Sequence, residues 1–230
     1  MPLIDESRPT WLRPLTDERN ETILSAAFDV FQEKGLHGAT MLEIARLAKV
    51  SKETLYARFD SKEGLFYALL AWGCEKCAMG GDCVKVGAEW DPVRALEDYA
   101  VQCLGQMMHP ESIAVQRIVI GEALRMPEVA RVFDEFTCQA SMANLNVIAD
   151  ALHEAGLATI DDKAAFGQAF IGLLRGNLHH QVMIGVIAHP TDAEIEAHAK
   201  RAARWLLAVF APGRAQLVSM TPPMKAEASR

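Results

Sequence analysis

The stretch SKETLYARFDSKEGLF, residues 51–66, gathers side chains suited to gripping a polyanion. Lys52, Glu53 and Thr54 stand together, Tyr56 and Arg58 follow, and Lys62 lies in a second Ser-Lys-Glu triplet. Across residues 46–62, Arg46, Lys49, Lys52, Arg58 and Lys62 oppose only Glu53 and Asp60, a local net charge of +3 in a chain whose total is −7. Lysine and arginine neutralise phosphates, a tyrosine hydroxyl donates to phosphate oxygen, and short polar side chains can reach base edges. Positive charge this local fits a small docking surface on nucleic acid rather than a basic protein as a whole. Glu53 is the exception, because a carboxylate in a groove repels phosphate unless it accepts from a cytosine amine.

Helices must position these side chains. Ser51 and Ser61 are good N-caps, and a glutamate follows each within the first turn. Thr40 and Glu43 are spaced as a capping box for a helix of about two turns, with Ile44 and Leu47 expected to face inward. Upstream, Ile23, Ala26, Ala27, Val30 and Phe31 fall on one helical face that Gly35 is expected to end. Two helices this short are unstable alone. Braced by the preceding helix, they make a helix-turn-helix: the helix from Thr40 crosses the backbone, and KETLYARF enters the major groove N-terminus first. Leu55 and Phe59, four apart, anchor the second helix. Ser61 opens the next helix, whose positive end with Lys62 forms a phosphate clamp. Arg8, Arg13 and Arg19 add basic charge upstream.

In the run 21–66, ETILSAAFDVFQEKGLHGATMLEIARLAKVSKETLYARFDSKEGLF, the elements AA…F…G, AT…IA..A.VS, TLY..F and SKE.L fall in register. This resembles the DNA-binding domain of the TetR family of bacterial transcriptional regulators. One departure is Lys49, where the family commonly has glycine. The resemblance implies an all-α homodimer that binds a near-palindromic double-stranded operator, as a repressor released by a small-molecule effector. It implies DNA-contacting roles for Thr40, Lys52, Glu53, Thr54, Tyr56, Arg58 and Lys62.

The rest of the chain reads as helix. Strand periodicity and hairpin turns are scarce. The pattern runs on from Phe66 to Gly80-Gly81. Asp91-Pro92 opens a helix to His109, Pro110 another, and Pro127 a long one ended by Gly156. The next starts at Asp161 or Asp162 and reaches His189, and Thr191 with Glu194 caps the last. The expected fold is therefore all-α, about nine helices. Its parts are an arm (1–16), the helix-turn-helix domain (17–66), a ligand-binding and dimerisation domain (67–212) and a disordered tail (213–230).

Within the larger domain, Met107, Gln116, Glu122, Asn144 and Asn177 are candidate pocket residues. Each methionine suits an ordinary core equally well. Phe170, Leu174, Trp205 and Val209 are candidates for a four-helix dimer interface. Cys74, Cys77 and Cys83 offer a second reading, a redox- or metal-responsive regulator, though no second ligand pair follows at zinc spacing. A third is a small-molecule-binding helical protein with a vestigial DNA-binding unit. No cofactor, metal or enzyme motif is found. The N-terminus carries Asp5 and Glu6 without an apolar leader, and no run approaches the ~18 apolar residues of a membrane span, so the expected compartment is the cytoplasm.

Overall fold

The computed structural model describes residues 18–78 and 90–213. Its described elements are helices: α1 (Glu18–Gly38), α2 (Met41–Leu47), α3 (Lys52–Phe59), α4 (Lys62–Ala78), α5 (Pro92–Met108), α6 (Pro110–Glu122), α7 (Pro127–Glu154), α8 (Lys163–Met183) and α9 (Asp192–Val209). They form two compact units. Among the described residues, the first draws on 18–78 together with 109–140, and the second on 90–108 and 141–213.

The first unit is built on the predicted face of α1. Ile23, Leu24, Ala27 and Phe31 are fully buried with Ile44 of α2, Leu55 and Phe59 of α3, and Leu65 and Phe66 of α4. Phe31 meets Phe66 edge to face at 5.4 Å, a geometry contributing about 0.5–1.5 kcal/mol beyond area burial. Val119 of α6 and Val129 of α7 join the same core, so this unit extends beyond the helix-turn-helix motif itself. The regular ladder of α1 breaks at Gly35, as expected: its backbone leaves the helical region (φ 67°, ψ 172°), and a short helical turn carries on to Gly38.

In the second unit α5, α8 and α9 pack together. Tyr99 stacks on Phe170 at 5.8 Å, and Phe166 meets Phe210 edge to face at 5.0 Å. The caps fall where local chemistry puts them. Asp91 Oδ1 accepts from the Val93 N–H at 2.9 Å, and Asp162, not Asp161, accepts from the Ala164 and Ala165 amides. Thr191 and Glu194 form the capping box of α9. α8 ends at Met183, short of His189, and kinks at Gly176 (φ 44°, ψ −154°). No described helix is long and apolar enough to cross a membrane.

Candidate nucleic-acid interface

The α2–turn–α3 geometry is set by local hydrogen bonds. Thr40 caps α2: its hydroxyl accepts from the Glu43 N–H at 3.3 Å and donates to Glu43 Oε2 at 2.9 Å, while its own N–H donates to Oε2 at 3.1 Å. Lys34 of α1 pairs with the same carboxylate at 2.5 Å. The lysine and the Thr40 hydroxyl hold the Glu43 carboxyl below the ordinary glutamate range. Met41, Ile44, Ala45 and Ala48 face the core, whereas Leu47 is 52% exposed. The expectation that Leu47 packs inward is therefore corrected. On so short a helix the inward stripe runs through 41, 44, 45 and 48, and position 47 falls outside it.

α2 ends in a Schellman motif. The Val50 N–H donates to the Ala45 carbonyl at 3.0 Å, and the Lys49 N–H to the Arg46 carbonyl at 3.2 Å. The motif requires a left-handed residue, and Lys49 takes that conformation at φ 54°. Glycine would do so without strain. The unusual lysine thus leaves the turn intact and makes it costlier.

Ser51 then caps α3, its Oγ accepting from the Thr54 N–H at 3.1 Å and lying 3.0 Å from Thr54 Oγ1. Leu55 and Phe59 are buried, and Lys52, Glu53 and Tyr56 are exposed on the other side. The Lys52 ammonium sits over the Tyr56 ring, 5.5 Å from its centroid. Glu53 is held anionic by its own backbone N–H first and then by the Ser51 hydroxyl. Its carboxylate completes the positive end of α3, so its charge, at odds with phosphate, has a local structural use.

Arg58 and Lys62 lie differently from the expectation. Arg58 Nη1 donates to Asn20 Oδ1 of α1 at 2.5 Å. Lys62 Nζ donates to the carbonyls of Ala39 at 3.0 Å and His37 at 3.2 Å. Both side chains are turned toward the α1 scaffold. Between α3 and α4 the chain makes a γ-turn at Asp60 (φ 58°), with the Ser61 N–H donating to the Phe59 carbonyl at 2.5 Å. Ser61 Oγ accepts from the Gly64 N–H at 2.9 Å. A Cβ on Gly64 would stand 2.2 Å from the Phe59 carbonyl oxygen, so a joint this tight needs glycine.

The five candidate pocket residues are divided between the units. Gln116 and Glu122 belong to the first, where Gln116 donates to the Ser112 carbonyl of its own helix and Glu122 pairs with Arg125 at 3.9 Å. Met107, Asn144 and Asn177 belong to the second. Met107 and Asn144 are half-buried, while Asn177 is exposed beside an open groove of about 590 Å³ between α8 and α9. The interface residues divide too. Trp205 (51%) and Val209 (42%) are exposed, but Phe170 and Leu174 are buried inside one protomer. This corrects their assignment to a contact surface: the inner stripe of α8 packs on its own unit, against Tyr99. Cys83 and the side chains of Cys74 and Cys77 lie outside the described residues.

Sequence patterning missed one constellation, although a glycine within a helix was its signal. The kink at Gly176 frees the Leu174 carbonyl, and His198 Nε2 of α9 donates to it at 3.0 Å. This fixes the tautomer, so Nδ1 accepts from Arg201 Nη2 at 3.2 Å. Arg201 in turn lies over the Trp205 ring at 5.6 Å.

A capped two-turn helix, a Schellman turn and a second helix with a polar outer face define a helix-turn-helix transcriptional regulator. Comparison with known proteins agrees. Residues 23–69 match the family described as bacterial regulatory proteins, tetR family. Residues 94–212 match the AefR-like transcriptional repressor, C-terminal domain. The chain belongs to the TetR family. It is 30% identical to the HTH-type transcriptional regulator UidR of Escherichia coli K12 over 113 residues, 47% of this chain and 53% of that protein. It is 29% identical to RutR of the same strain over 152 residues, 64% of this chain and 59% of RutR. The chain thus spans between half and two thirds of these curated relatives. Among solved structures, the flavonoid-responsive regulator FrrA is 31% identical, with a TM-score of 0.69 over 85% of this chain and 98% of that one. A TetR-family regulator from Mesorhizobium loti gives a TM-score of 0.71 at 25% identity, over 84% of this chain and 96% of that one.

Proposed function

We propose that this protein is a dimeric repressor that binds a near-palindromic operator and is released by a small-molecule effector, with no catalytic role. The observation that carries the reading is the outer face of α3. Lys52, Glu53 and Thr54 fill its first turn while Leu55 and Phe59 anchor it from behind. In the docking geometry of a recognition helix, Lys52 and Thr54 meet base edges and Glu53 accepts from a cytosine amine. Tyr56, with Lys52 above its ring, meets a phosphate. Thr40, exposed at the start of α2, meets a DNA phosphate by turning its hydroxyl proton from Glu43 to the phosphate oxygen.

The second unit holds the effector, and Trp205 and Val209 meet a second copy across a two-fold axis. That axis sets the recognition helices on successive major grooves. Effector binding changes their separation by tilting α4. The flavonoid response named for FrrA supports an effector-driven switch without identifying the effector here.

The test is selection of bound DNA from a random pool, followed by affinity against salt. Binding should weaken steeply with salt, Tyr56→Ala should weaken all sequences alike, and Lys52→Ala or Thr54→Ala should change sequence preference. Salt-insensitive binding, or no selected sequence, would reject the reading.

A further inference from the structure

Threonine at position 54 brings two groups to the first turn of α3, a hydroxyl and a methyl. They point in different directions, because they occupy different staggered wells about the Cα–Cβ bond. The hydroxyl is turned back to the helix entry, with Thr54 Oγ1 3.0 Å from Ser51 Oγ. Ser51 Oγ also accepts from the Thr54 N–H at 3.1 Å. A serine hydroxyl carries one proton and two acceptor lone pairs. The neighbouring Glu53 carboxylate can only accept, and the Ser51 hydroxyl is among the groups that hold it anionic. The Ser51 proton therefore goes to Glu53, and the two lone pairs take the amide and the hydroxyl of Thr54. Thr54 is the donor of the hydroxyl pair, and its single hydroxyl proton is spent within the cap.

We propose that Thr54 reads a thymine of the operator half-site, its methyl group packing on the thymine C5-methyl in the major groove. This rests on the reading of the protein as a DNA-binding regulator and names the base for one residue of that surface. Thymine alone presents a methyl group there, so an apolar contact at that point separates it from the other three bases. Thr54 lies on the border of the anchoring row: Leu55 is fully buried, Lys52, Glu53 and Tyr56 are exposed, and Thr54 is half-buried between them. An apolar group at the edge of a wet surface gains by giving up its remaining water to a second methyl. Serine would make the same two bonds to Ser51, and β-branching is slightly unfavourable in a helix. The methyl is what threonine adds to this turn. Lys52 remains its donor and Glu53 its anionic acceptor, so the three residues offer the groove three different chemistries. The competing use of Thr54, in which its oxygen accepts from a base amine, makes the hydroxyl the reader instead.

Selection of bound DNA from a random pool gives the half-site. Each thymine in it is then replaced singly by deoxyuridine, which lacks only the C5-methyl, and affinity is measured with the full-length chain. The wild-type chain should lose about fourfold in affinity at one such position, the factor that one buried methylene-sized group contributes. Thr54→Ser, which keeps the hydroxyl bond to Ser51, should bind the thymine and deoxyuridine forms of that position alike. Thr54→Val, which keeps the methyl and the shape without the hydroxyl, should still discriminate between them. A half-site without thymine, or wild-type affinity indifferent to deoxyuridine at every position, overturns the proposal. So does full methyl dependence in Thr54→Ser. Loss of the dependence in Thr54→Val overturns it too, because the hydroxyl is then the reader. If Thr54→Val does not fold by circular dichroism, the wild-type chain and Thr54→Ser carry the comparison. Should the wild-type chain select no DNA, the regulator reading fails and this inference falls with it, whereas a selected half-site without methyl dependence overturns this inference alone.

Discussion

The left-handed lysine in the helix-turn-helix invites a direct test. Lys49 occupies the Schellman position at φ 54°, where an L-residue with a Cβ is strained by about 1–2 kcal/mol. Lys49→Gly removes that strain. It also loosens the unfolded chain, which costs about 0.4–1 kcal/mol. The difference leaves a net stabilisation of about 0.5–1 kcal/mol. For a chain of this size, each kcal/mol moves the melting temperature by about 2–4 °C. A rise of about 1–4 °C, with a matching shift of the urea midpoint, is therefore expected by circular dichroism. Lys49→Ala serves as the control, since it removes the charge and keeps the Cβ, and it should leave stability nearly unchanged. Lys49→Asn should fall between the two, because asparagine tolerates the left-handed region better than lysine. If Lys49→Gly is no more stable than Lys49→Ala, the left-handed turn at Lys49 is not strained.

Three further outcomes are expected. Burial, with the charges of Arg175 and His180, lowers the pKa of His179, so the folded state favours its neutral form. As pH falls below about 6.5 the unfolded chain takes up this proton first, and stability should decline down to the folded pKa. Urea midpoints measured from pH 7 to pH 5 should change less in His179→Gln, and an identical decline would remove His179 from the account. Thr191→Ala opens the capping box of α9 and should cost about 0.5–2 kcal/mol in chemical denaturation. Trp205→Glu should give monomers in analytical ultracentrifugation with the fold intact, whereas Phe170→Ala should cost about 3–5 kcal/mol of stability because it empties a packed position. A stable dimer of Trp205→Glu would remove that face from the interface.

The order and type of the helices are legible in the sequence because their signals are local. Thr40 with Glu43, Ser51, Ser61, Asp91, Asp162 and Thr191 cap helices through bonds that span two or three residues, and Pro92, Pro110 and Pro127 open helices by ruling out alternatives. The polar first turn of α3 is legible for the same reason. Its position follows from Ser51, and its exposed face from the burial of Leu55 and Phe59. The family could be read there too, since the helix-turn-helix is a run of such local signals in fixed register.

The tertiary structure decided where long side chains go and which stripe of an apolar helix turns inward. Arg58 finds Asn20, 38 positions away, and Lys62 finds the carbonyls of His37 and Ala39. No spacing rule within α3 or α4 announces these partners, so the sequence counts both cations simply as positive charge. Phe170 and Leu174 look as suited to an interface as Trp205 and Val209. Only the packing of α5 against α8 and α9 separates the buried pair from the exposed pair. The bond from His198 to the Leu174 carbonyl exists because Gly176 breaks the ladder of α8 opposite α9. Local hydrogen bonds fix a helix and its ends within a few residues. The destination of a flexible charged chain, or of an apolar face, depends on surfaces brought near from elsewhere in the sequence, and folding supplies those.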